Sequence, residues 1–290
     1  MTLNKEEFDY LGITKWHEAG YRGQGIIVAS IENGKTQHSK KVESILKQIL
    51  PEATILSNIK YWKDVPENLD GYTCSQDRAD SNDPDKMAKA EELCARNVFM
   101  TCAIGNEDTE SYNRLAPHSE WVSVGACDLK DGKPKLEYYS SQSEYLDFVS
   151  LTNLKTDEGR FTGSSCATPV LQAMAMLVQQ FFRERIGKKL NNEQLFYFIK
   201  DNCIDLEVKG HDVNTGHGLF VLPEPSKINI YKYGDVKMFK DNTEYEKAID
   251  FLAREKEMDS PNYWKERIKK NNDTNLMWFC TKWANAVSKN

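Results

Sequence analysis

The sequence predicts an α/β protein with three layers, in which helices cover both faces of a mainly parallel sheet, and a small helical extension at its C-terminal end. Short apolar segments bounded by turn residues alternate with amphipathic helical segments between residues 25 and 222, a pattern typical of parallel sheets. The composition changes after Pro223-Glu224-Pro225. We therefore expect one domain over residues 1–225 and a helical extension over 236–290.

Hydrophobic periodicity and turn residues predict the individual elements in chain order. Continuous apolar runs indicate strands over 25–32, 53–56, 97–104, 121–127, 145–151 and 216–222. Apolar residues three and four positions apart indicate helices over 39–50, 84–96, 166–186 and 191–202. The third of these helices is apolar almost all round, and Pro169 fits early in it, where a missing N–H costs least. Residues 62–83 are polar, and their structure stays undecided.

Composition argues against several classes of function. The 290 residues are 40% apolar and 28% charged, which is ordinary for a globular protein, and no apolar span approaches the roughly 20 residues of a membrane helix. The net charge of −6 and the lack of a basic tract argue against nucleic acid as a partner. Seven cysteines without a Cys-x-x-Cys pair indicate free thiols in a reducing compartment, and the polar N-terminus is no signal peptide. We expect a cytoplasmic protein without metal or cofactor.

Four chemically active side chains fall at the same edge of the predicted sheet. Glu32 ends the first strand, and His38 begins the next helix after five loop residues that span at most about 17 Å. Asn106 follows the strand over 97–104, and Ser165 begins the long apolar helix. Because the carboxyl ends of parallel strands and the following helix N-termini share one edge, we expect these side chains to lie close together.

These residue types are the components of nucleophilic acyl transfer. His38 would take the proton of Ser165 as general base, Glu32 would orient the imidazole, and Asn106 Nδ2 with the Ser165 backbone N–H would stabilise an oxyanion. Each has a plainer alternative. Ser165 could cap its helix, Glu32 could be a solvated carboxylate, and Asn106 could serve only as a turn residue.

Motifs spread over residues 10–222 resemble, in the same order, those of the subtilisin-like serine proteases, or subtilases. The segment ending Ile31-Glu32-Asn33-Gly34 resembles the family's acid-bearing Asp-Thr-Gly strand, and His38-Ser39-Lys40-Lys41-Val42 resembles His-Gly-Thr-His-Val. Cys102-Ala103-Ile104-Gly105-Asn106 resembles the Ala-Ala-Gly-Asn oxyanion segment. Gly163-Ser164-Ser165-Cys166-Ala167-Thr168-Pro169 resembles Gly-Thr-Ser-Met-Ala-Thr-Pro, the most specific motif of the set.

The resemblance implies a subtilisin-like sheet and a serine endopeptidase that acts on peptide or protein substrates. It implies that Cys102, Ala103, Ile104 and Gly105 form one wall of the substrate pocket. The other wall should lie within residues 66–80, with Tyr72–Ser75 as the candidate segment. Cys166 takes the place of the family's buried Met, which indicates a core thiol rather than a nucleophile.

The departures from the family pattern leave a second function open. Glu32 stands where the family has Asp, Ser39-Lys40 replaces Gly-Thr, and no Ser-Leu-Gly segment is present. The chain is therefore either an active endopeptidase or an inactive pseudoprotease that serves as a binding or scaffold module. It keeps the serine, the histidine and the asparagine, which favours activity.

The C-terminal extension is helical and rich in tryptophan, with Trp264, Trp278 and Trp283 in a short stretch. One helix face would carry Tyr245, Ile249 and Leu252, and another Leu276, Phe279 and Trp283. These side chains either pack within the protein or bind a partner protein.

The region that resembles subtilases begins within ten residues of Met1, so no pro-segment is expected. This fits an intracellular enzyme, and a prophage origin would also fit. The acidic residues over Asp80–Asp85 are expected to be solvated charges, not a metal site.

Overall fold

The computed structural model describes residues 3–32, 36–59, 65–66, 68–76, 84–107, 112–233, 245–254 and 261–271. The chain divides into two compact units, Met1–Lys227 and Ile228–Asn290. None of the described helices is both long and apolar enough to cross a membrane.

The first unit contains the sheet and most of the helices. Its described helices are α1 (Lys5–Tyr10), α2 (Ile13–Glu18), α3 (Gln37–Ile49), α4 (Pro84–Ala95), α5 (Ser164–Ile186) and α6 (Asn192–Asp201). Its described strands are β1 (Ile27–Ile31), β2 (Thr54–Ile59), β3 (Gly71–Cys74), β4 (Phe99–Ala103), β5 (Trp121–Lys130), β6 (Lys133–Leu136), β7 (Phe148–Leu151), β8 (Leu154–Thr156), β9 (Gly159–Phe161), β10 (Cys203–Ile204) and β11 (Leu219–Phe220).

The sheet confirms the predicted fold class. Among the described residues it has nine strands, in the order β10, β11, β7, β5, β4, β3, β1 and β2, with β6 paired to β5. The pairs from β2 to β11 are parallel, whereas β10 and β6 are antiparallel to their neighbours. Helices cover both faces, giving a three-layer α/β/α fold. A separate antiparallel hairpin joins β8 to β9.

The main addition to the predicted elements is β3, which lies in the polar segment left undecided. This strand of four residues, Gly71–Cys74, is fully buried between β1 and β4 at the centre of the sheet. Its shortness and polar flanks hide it from a search for apolar runs. The helices α1 and α2, the strands β6 and β10 and the β8–β9 hairpin were not predicted either.

Several predicted boundaries also need correction. The strand expected over 145–151 begins at Phe148, because Ser123 hydrogen-bonds to the Tyr145 carbonyl and to the Asp147 carboxylate ahead of the strand. The strand expected over 216–222 is reduced to β11. The helix expected from residue 39 begins at Gln37, because the Thr36 side chain caps it by accepting a hydrogen bond from the Ser39 N–H.

The helix α5 runs through the centre of the first unit and is the predicted apolar helix. Every residue from Ser164 to Phe182 is buried except Ser165, which reaches solvent. Pro169 is the sixth residue of this helix, so the expectation that its missing N–H costs least is wrong, since only the first turn lacks internal acceptors. The helix lies so close to β3 that a Cβ at Gly71 would meet Gln172 Nε2 at 2.1 Å.

In the second unit, the described helices are α7 (Ile230–Tyr233), α8 (Tyr245–Arg254) and α9 (Pro261–Asn271). The side chains of Ile249, Leu252 and Ile268 are fully buried, and α8 and α9 contact each other. Lys265 of α9 also pairs with Asp250 of α8. The expected face with Leu276, Phe279 and Trp283 lies outside the described residues, as does Trp278.

Asp147 anchors the start of β7 to β5. Its carboxylate accepts hydrogen bonds from the Ser123 backbone N–H at 2.8 Å and from the Ser123 hydroxyl at 3.2 Å. Burial raises the pKa of Asp147 to about 6, against 3.8 for a free aspartate, and the two hydrogen bonds only partly oppose this. Between these pH values the unfolded chain has released the proton that the folded chain still holds. Asp147 therefore contributes less to stability as the pH rises through this window.

We predict that Asp147→Asn becomes progressively more stable, relative to the natural chain, as the pH rises from about 4 to about 6. The shift corresponds to a change on the order of 2–3 kcal/mol across the window. Urea denaturation at several pH values measures it, with the exposed turn residue Asp131 changed to Asn as control. A difference for Asp147→Asn that stays as flat as the control would contradict the assignment.

Candidate active site

One cleft lies where the carboxyl ends of β3 and β4 meet the N-terminus of α5. Its volume is about 400 Å³. The lining residues are His38, Ser75, Gln76, Ala103, Ile104, Gly105, Asn106, Glu107, Tyr112, Asn113, Ser164 and Ser165. The structure thus brings His38, Asn106 and Ser165 into one cleft. Glu32 is fully buried and does not line it.

Three of the four residues expected in the substrate wall, Ala103, Ile104 and Gly105, line this cleft. Cys102 lies one residue further back in β4, is fully buried and is not among the lining residues. From the segment proposed for the opposite wall, Ser75 lines the cleft together with its neighbour Gln76.

Glu32 holds His38 through a direct hydrogen bond. The distance from Glu32 Oε2 to His38 Nδ1 is 3.0 Å. The second carboxylate oxygen, Oε1, accepts a hydrogen bond from the Ser75 backbone N–H at 3.3 Å. Since a carboxylate can only accept, this contact places a proton on His38 Nδ1 and leaves Nε2 as the basic atom of the neutral ring.

Two local features position the His38 ring from the other sides. Thr36 caps α3, whose first residue is Gln37. His38 is the second residue and therefore lies in the first turn of a capped helix. Phe161, the last residue of the β8–β9 hairpin, lies edge-on to the imidazole with the ring centroids 5.3 Å apart. The imidazole is therefore confined by a helix, an aromatic edge and a buried carboxylate.

Ser39 and Lys40, which follow His38, leave the cleft open. The Ser39 hydroxyl is buried and donates back to the Thr36 carbonyl at 2.9 Å. Lys40 pairs with Glu158 at 3.6 Å. Neither residue lines the cleft, so both side chains make contacts elsewhere.

Ser165 is the second residue of α5, where helix N–H groups have no acceptor within the helix. Gly163 caps the helix with φ 90° and offers no side chain to fill that role. The Gly163 carbonyl is fixed by the Thr152 hydroxyl at 3.0 Å. Among the described residues no hydrogen bond joins Ser165 to His38, as is common before a substrate tightens such a site.

Asn106 is fixed against the same helix start. Its Oδ1 accepts a hydrogen bond from the Ser164 N–H at 2.7 Å, and the Nδ2 end of the same carboxamide remains a donor in the cleft that Ser165 also lines. In return the Ser164 hydroxyl accepts from the Gly105 N–H at 3.3 Å. This reciprocal clamp ties the loop after β4 to α5, so the amide donor and the serine move as one piece.

Asn113 connects the two walls of the cleft. Its backbone N–H donates to the Ile104 carbonyl at 2.7 Å, and its side-chain Nδ2 donates to the Gln76 carbonyl at 3.3 Å. Asn113 is buried. It therefore sets the width of the cleft from beneath, without belonging to any strand.

Cys166, next to the serine, is not a competing nucleophile. Its side chain is fully buried, and burial raises the pKa of the thiol to about 12. A neutral, inaccessible thiol is a poor nucleophile. Across the described part of the chain, no group of three or more His, Cys, Asp or Glu side chains could hold a metal ion.

The sequence did not single out Gln76, Asn113, Phe161 or Ser164, although each contacts an expected site residue. Ser164 and Gln76 were adjacent to expected site residues, so their neighbourhood was a usable signal. Asn113 and Phe161 reach the site through loop and hairpin geometry that leaves no periodic pattern.

The chain is similar to known proteases in sequence and in fold. The chain is 23% identical over 159 residues to the major intracellular serine protease of Bacillus subtilis (strain 168), a match covering 51% of this chain and 48% of that protease. The match thus spans about half the length of that relative. No family model matches the chain.

Two solved structures have the same fold. A lanthipeptide protease superimposes with a TM-score of 0.59 at 16% identity, over 74% of this chain and 92% of that protein. The prenylagaramide maturation protease PagA gives 0.57 at 17% identity, over 72% and 95% respectively. The fold of the first unit is therefore one that known proteases use.

We predict that Gly163→Ala displaces Asn106 and lowers the rate of peptide hydrolysis. A Cβ at this position would lie 3.0 Å from Asn106 Oδ1 and 3.1 Å from Nδ2. Asn106 is the oxyanion donor expected from the sequence, and loss of one such donor typically costs about 10²–10³ in kcat. Kinetics with a fluorogenic peptide, together with thermal denaturation, measure the effect.

The matched control is Gly187→Ala at the opposite end of α5. Gly187 also has positive φ, +74°, but a Cβ there would meet nothing within 4 Å. Gly187→Ala should lose about 1–2 kcal/mol of stability because its backbone is left-handed. Gly163→Ala should lose about 1–3 kcal/mol, because φ 90° with ψ 171° is a conformation almost restricted to glycine. Only Gly163→Ala should also lose activity. Equal activity in the two variants would exclude a role for this contact.

Proposed function

We propose that the chain is a serine endopeptidase that forms an acyl-enzyme on Ser165, with Glu32, His38 and Ser165 as its triad. The observation that carries the proposal is the 3.0 Å hydrogen bond from His38 Nδ1 to a fully buried Glu32 carboxylate. Such a contact fixes the tautomer in which Nε2 can act as base.

In the first half of the reaction, Ser165 Oγ attacks the carbonyl carbon of the scissile peptide bond while His38 Nε2 takes the hydroxyl proton. Negative charge builds on the carbonyl oxygen, where Asn106 Nδ2 and the Ser165 N–H donate hydrogen bonds. The imidazolium then gives its proton to the leaving amine as the C–N bond breaks. Glu32 stays ionised and stabilises the imidazolium.

In the second half, a water molecule attacks the acyl-enzyme and gives a proton to His38 Nε2. The tetrahedral intermediate collapses, the bond to Ser165 Oγ breaks and His38 returns the proton to the serine. The product leaves as a carboxylic acid, and no cofactor enters the proposed cycle.

The geometry gives little support to an inactive scaffold. That alternative rested on Glu32, on the altered histidine motif and on the missing Ser-Leu-Gly segment. Glu32 meets His38 at hydrogen-bond distance, and Ser39 and Lys40 do not line the cleft. Ser75 and Gln76 take the place of the missing segment at the cleft wall.

The setting of the enzyme is part of the proposal. Its relative is described as intracellular, and the six cysteines in the described part of the chain are all free thiols, as in a reducing compartment. We therefore propose a cytoplasmic enzyme that cleaves peptides or proteins.

A fluorophosphonate probe tests the nucleophile. The natural chain should be labelled on Ser165, and Ser165→Ala should not react. His38→Ala should react at least about 100-fold more slowly, because the hydroxyl loses its base. Labelling that is absent in the natural chain, or unchanged in Ser165→Ala, would reject the assignment. Gel fluorescence and mass spectrometry of the labelled peptide provide the readout.

Glu32 is tested by two substitutions with different consequences. Glu32→Gln keeps the length but loses the charge, and should lower kcat by about 10³–10⁴. Glu32→Asp keeps the charge but withdraws it by one methylene, so it should also lose activity although it restores the family's residue. Full activity in Glu32→Asp would show that the longer arm is not required; an unchanged kcat in Glu32→Gln would mean that another group orients His38.

A further inference from the structure

Gln76 is a second side chain at His38 Nδ1. The carboxamide nitrogen of Gln76 lies 3.5 Å from His38 Nδ1. Glu32 Oε2 lies 3.0 Å from the same nitrogen and forms a hydrogen bond with it. Gln76 stands at the cleft wall directly after Ser75, whose N–H holds the other oxygen of Glu32. The carboxylate and the carboxamide thus converge on one ring nitrogen.

The hydrogen bonding of this cluster decides which end of the carboxamide faces the histidine. Nδ1 donates its proton to Glu32, so it has no lone pair left for the Gln76 NH₂ group. The far end of the Gln76 carboxamide is buried without a hydrogen-bond partner among the described residues, so the contact with Nδ1 alone decides between the two orientations. A half-turn of the carboxamide exchanges the two atoms at almost no steric cost. After this rotation the Gln76 carboxamide oxygen, in place of its NH₂ group, faces the His38 Nδ1–H, so an acceptor meets a donor.

We infer that Gln76 is a positioning residue for His38, with its carboxamide oxygen acting as a second acceptor for the Nδ1 proton beside Glu32. This inference rests on the proposed function for its catalytic meaning, but its geometry can be tested separately. As His38 becomes an imidazolium, the Nδ1 proton is shared between the carboxylate and the carboxamide oxygen, and both stabilise the charged ring.

The backbone is built to hold Gln76 in this place. Its carbonyl accepts a hydrogen bond from the buried Asn113 Nδ2 at 3.3 Å and from the Cys74 thiol at 3.2 Å. These contacts come from beneath the cleft and from β3. They fix the main chain at Gln76 so that the side chain starts from a defined position.

The role also accounts for a departure seen in the sequence. A glutamate has one more rotatable bond than an aspartate, so it holds the imidazole less firmly by itself. Gln76, at the cleft wall, supplies a second acceptor that restricts the orientation of the ring without adding a charge. Glu32 and Gln76 therefore act as a pair in this chain.

The test follows the His38 ring by NMR in the full-length protein. Nitrogen chemical shifts report which ring atom carries the proton, and the ring signals report the midpoint pH of protonation, with His38→Ala used for assignment. Gln76→Leu should lower the midpoint by about half a pH unit or more, because the charged ring loses an acceptor. Gln76→Glu, of nearly the same shape, should raise it. Gln37→Leu, the same exchange at the exposed residue beside His38, should leave it unchanged.

Kinetics give the second readout. Gln76→Leu should lower kcat about tenfold, as expected for one lost hydrogen bond to a charged group. The acidic limb of its pH–kcat profile should move to lower pH. In Gln76→Glu this limb should move to higher pH, and at pH values above it most of kcat should be recovered. A purely structural role would predict that both variants lose activity with the limb in place.

The outcomes separate this inference from the proposed function. The inference about Gln76 is overturned if the His38 midpoints of Gln76→Leu and Gln76→Glu both stay with the control or move in the same direction, even if the enzyme is active. It is upheld if the two midpoints move in opposite directions, even if the natural chain fails to react with the fluorophosphonate probe. If Gln76→Leu does not fold, Gln76→Ala takes its place: a midpoint lowered relative to the control upholds the inference, and one that stays with the control overturns it.

Discussion

The site depends on one interaction, the hydrogen bond between the buried Glu32 carboxylate and His38 Nδ1. A buried carboxylate 3.0 Å from Nδ1 selects the tautomer whose Nε2 can act as base. Burial of the carboxylate is tolerable because its second oxygen receives the Ser75 N–H. Without Glu32 the cleft would keep its shape but would hold a base of undefined orientation.

The rest of the fold brings the remaining groups to that pair. Parallel strands β1, β3 and β4 deliver Glu32, Ser75 and the Asn106 loop to one edge of the sheet. The buried helix α5 begins at the same edge and exposes only Ser165 among its first nineteen residues. The clamp between Ser164, Gly105 and Asn106 then couples the loop after β4 to the helix. The cleft is therefore assembled by the packing of the sheet against α5.

The sequence predicted what periodicity and order can carry: the α/β class, most of the strands, the long apolar helix and the residues placed at the sheet edge. The sequence prediction failed where a few polar residues determine the boundaries or the presence of a strand. β3 is four residues long between polar flanks, and Asp147 with Ser123 delays the start of β7. The pairing of Gln76 with His38 arises from a wall that no motif marked. Sequence spacing could bound the distance between Glu32 and His38, whereas the ring's place is determined by the capped start of α3, the contact with Phe161 and the hydrogen bond to Glu32 together.

A double-mutant cycle between Glu32 and His38 tests the central claim most directly. The kcat/KM of an activated ester would be measured for the natural chain, Glu32→Gln, His38→Ala and the double variant. Since Glu32 acts only through the histidine, Glu32→Gln should cost orders of magnitude in the natural chain and almost nothing in the His38→Ala background. Additive losses in the double variant would mean that Glu32 acts independently of His38, and would contradict the account.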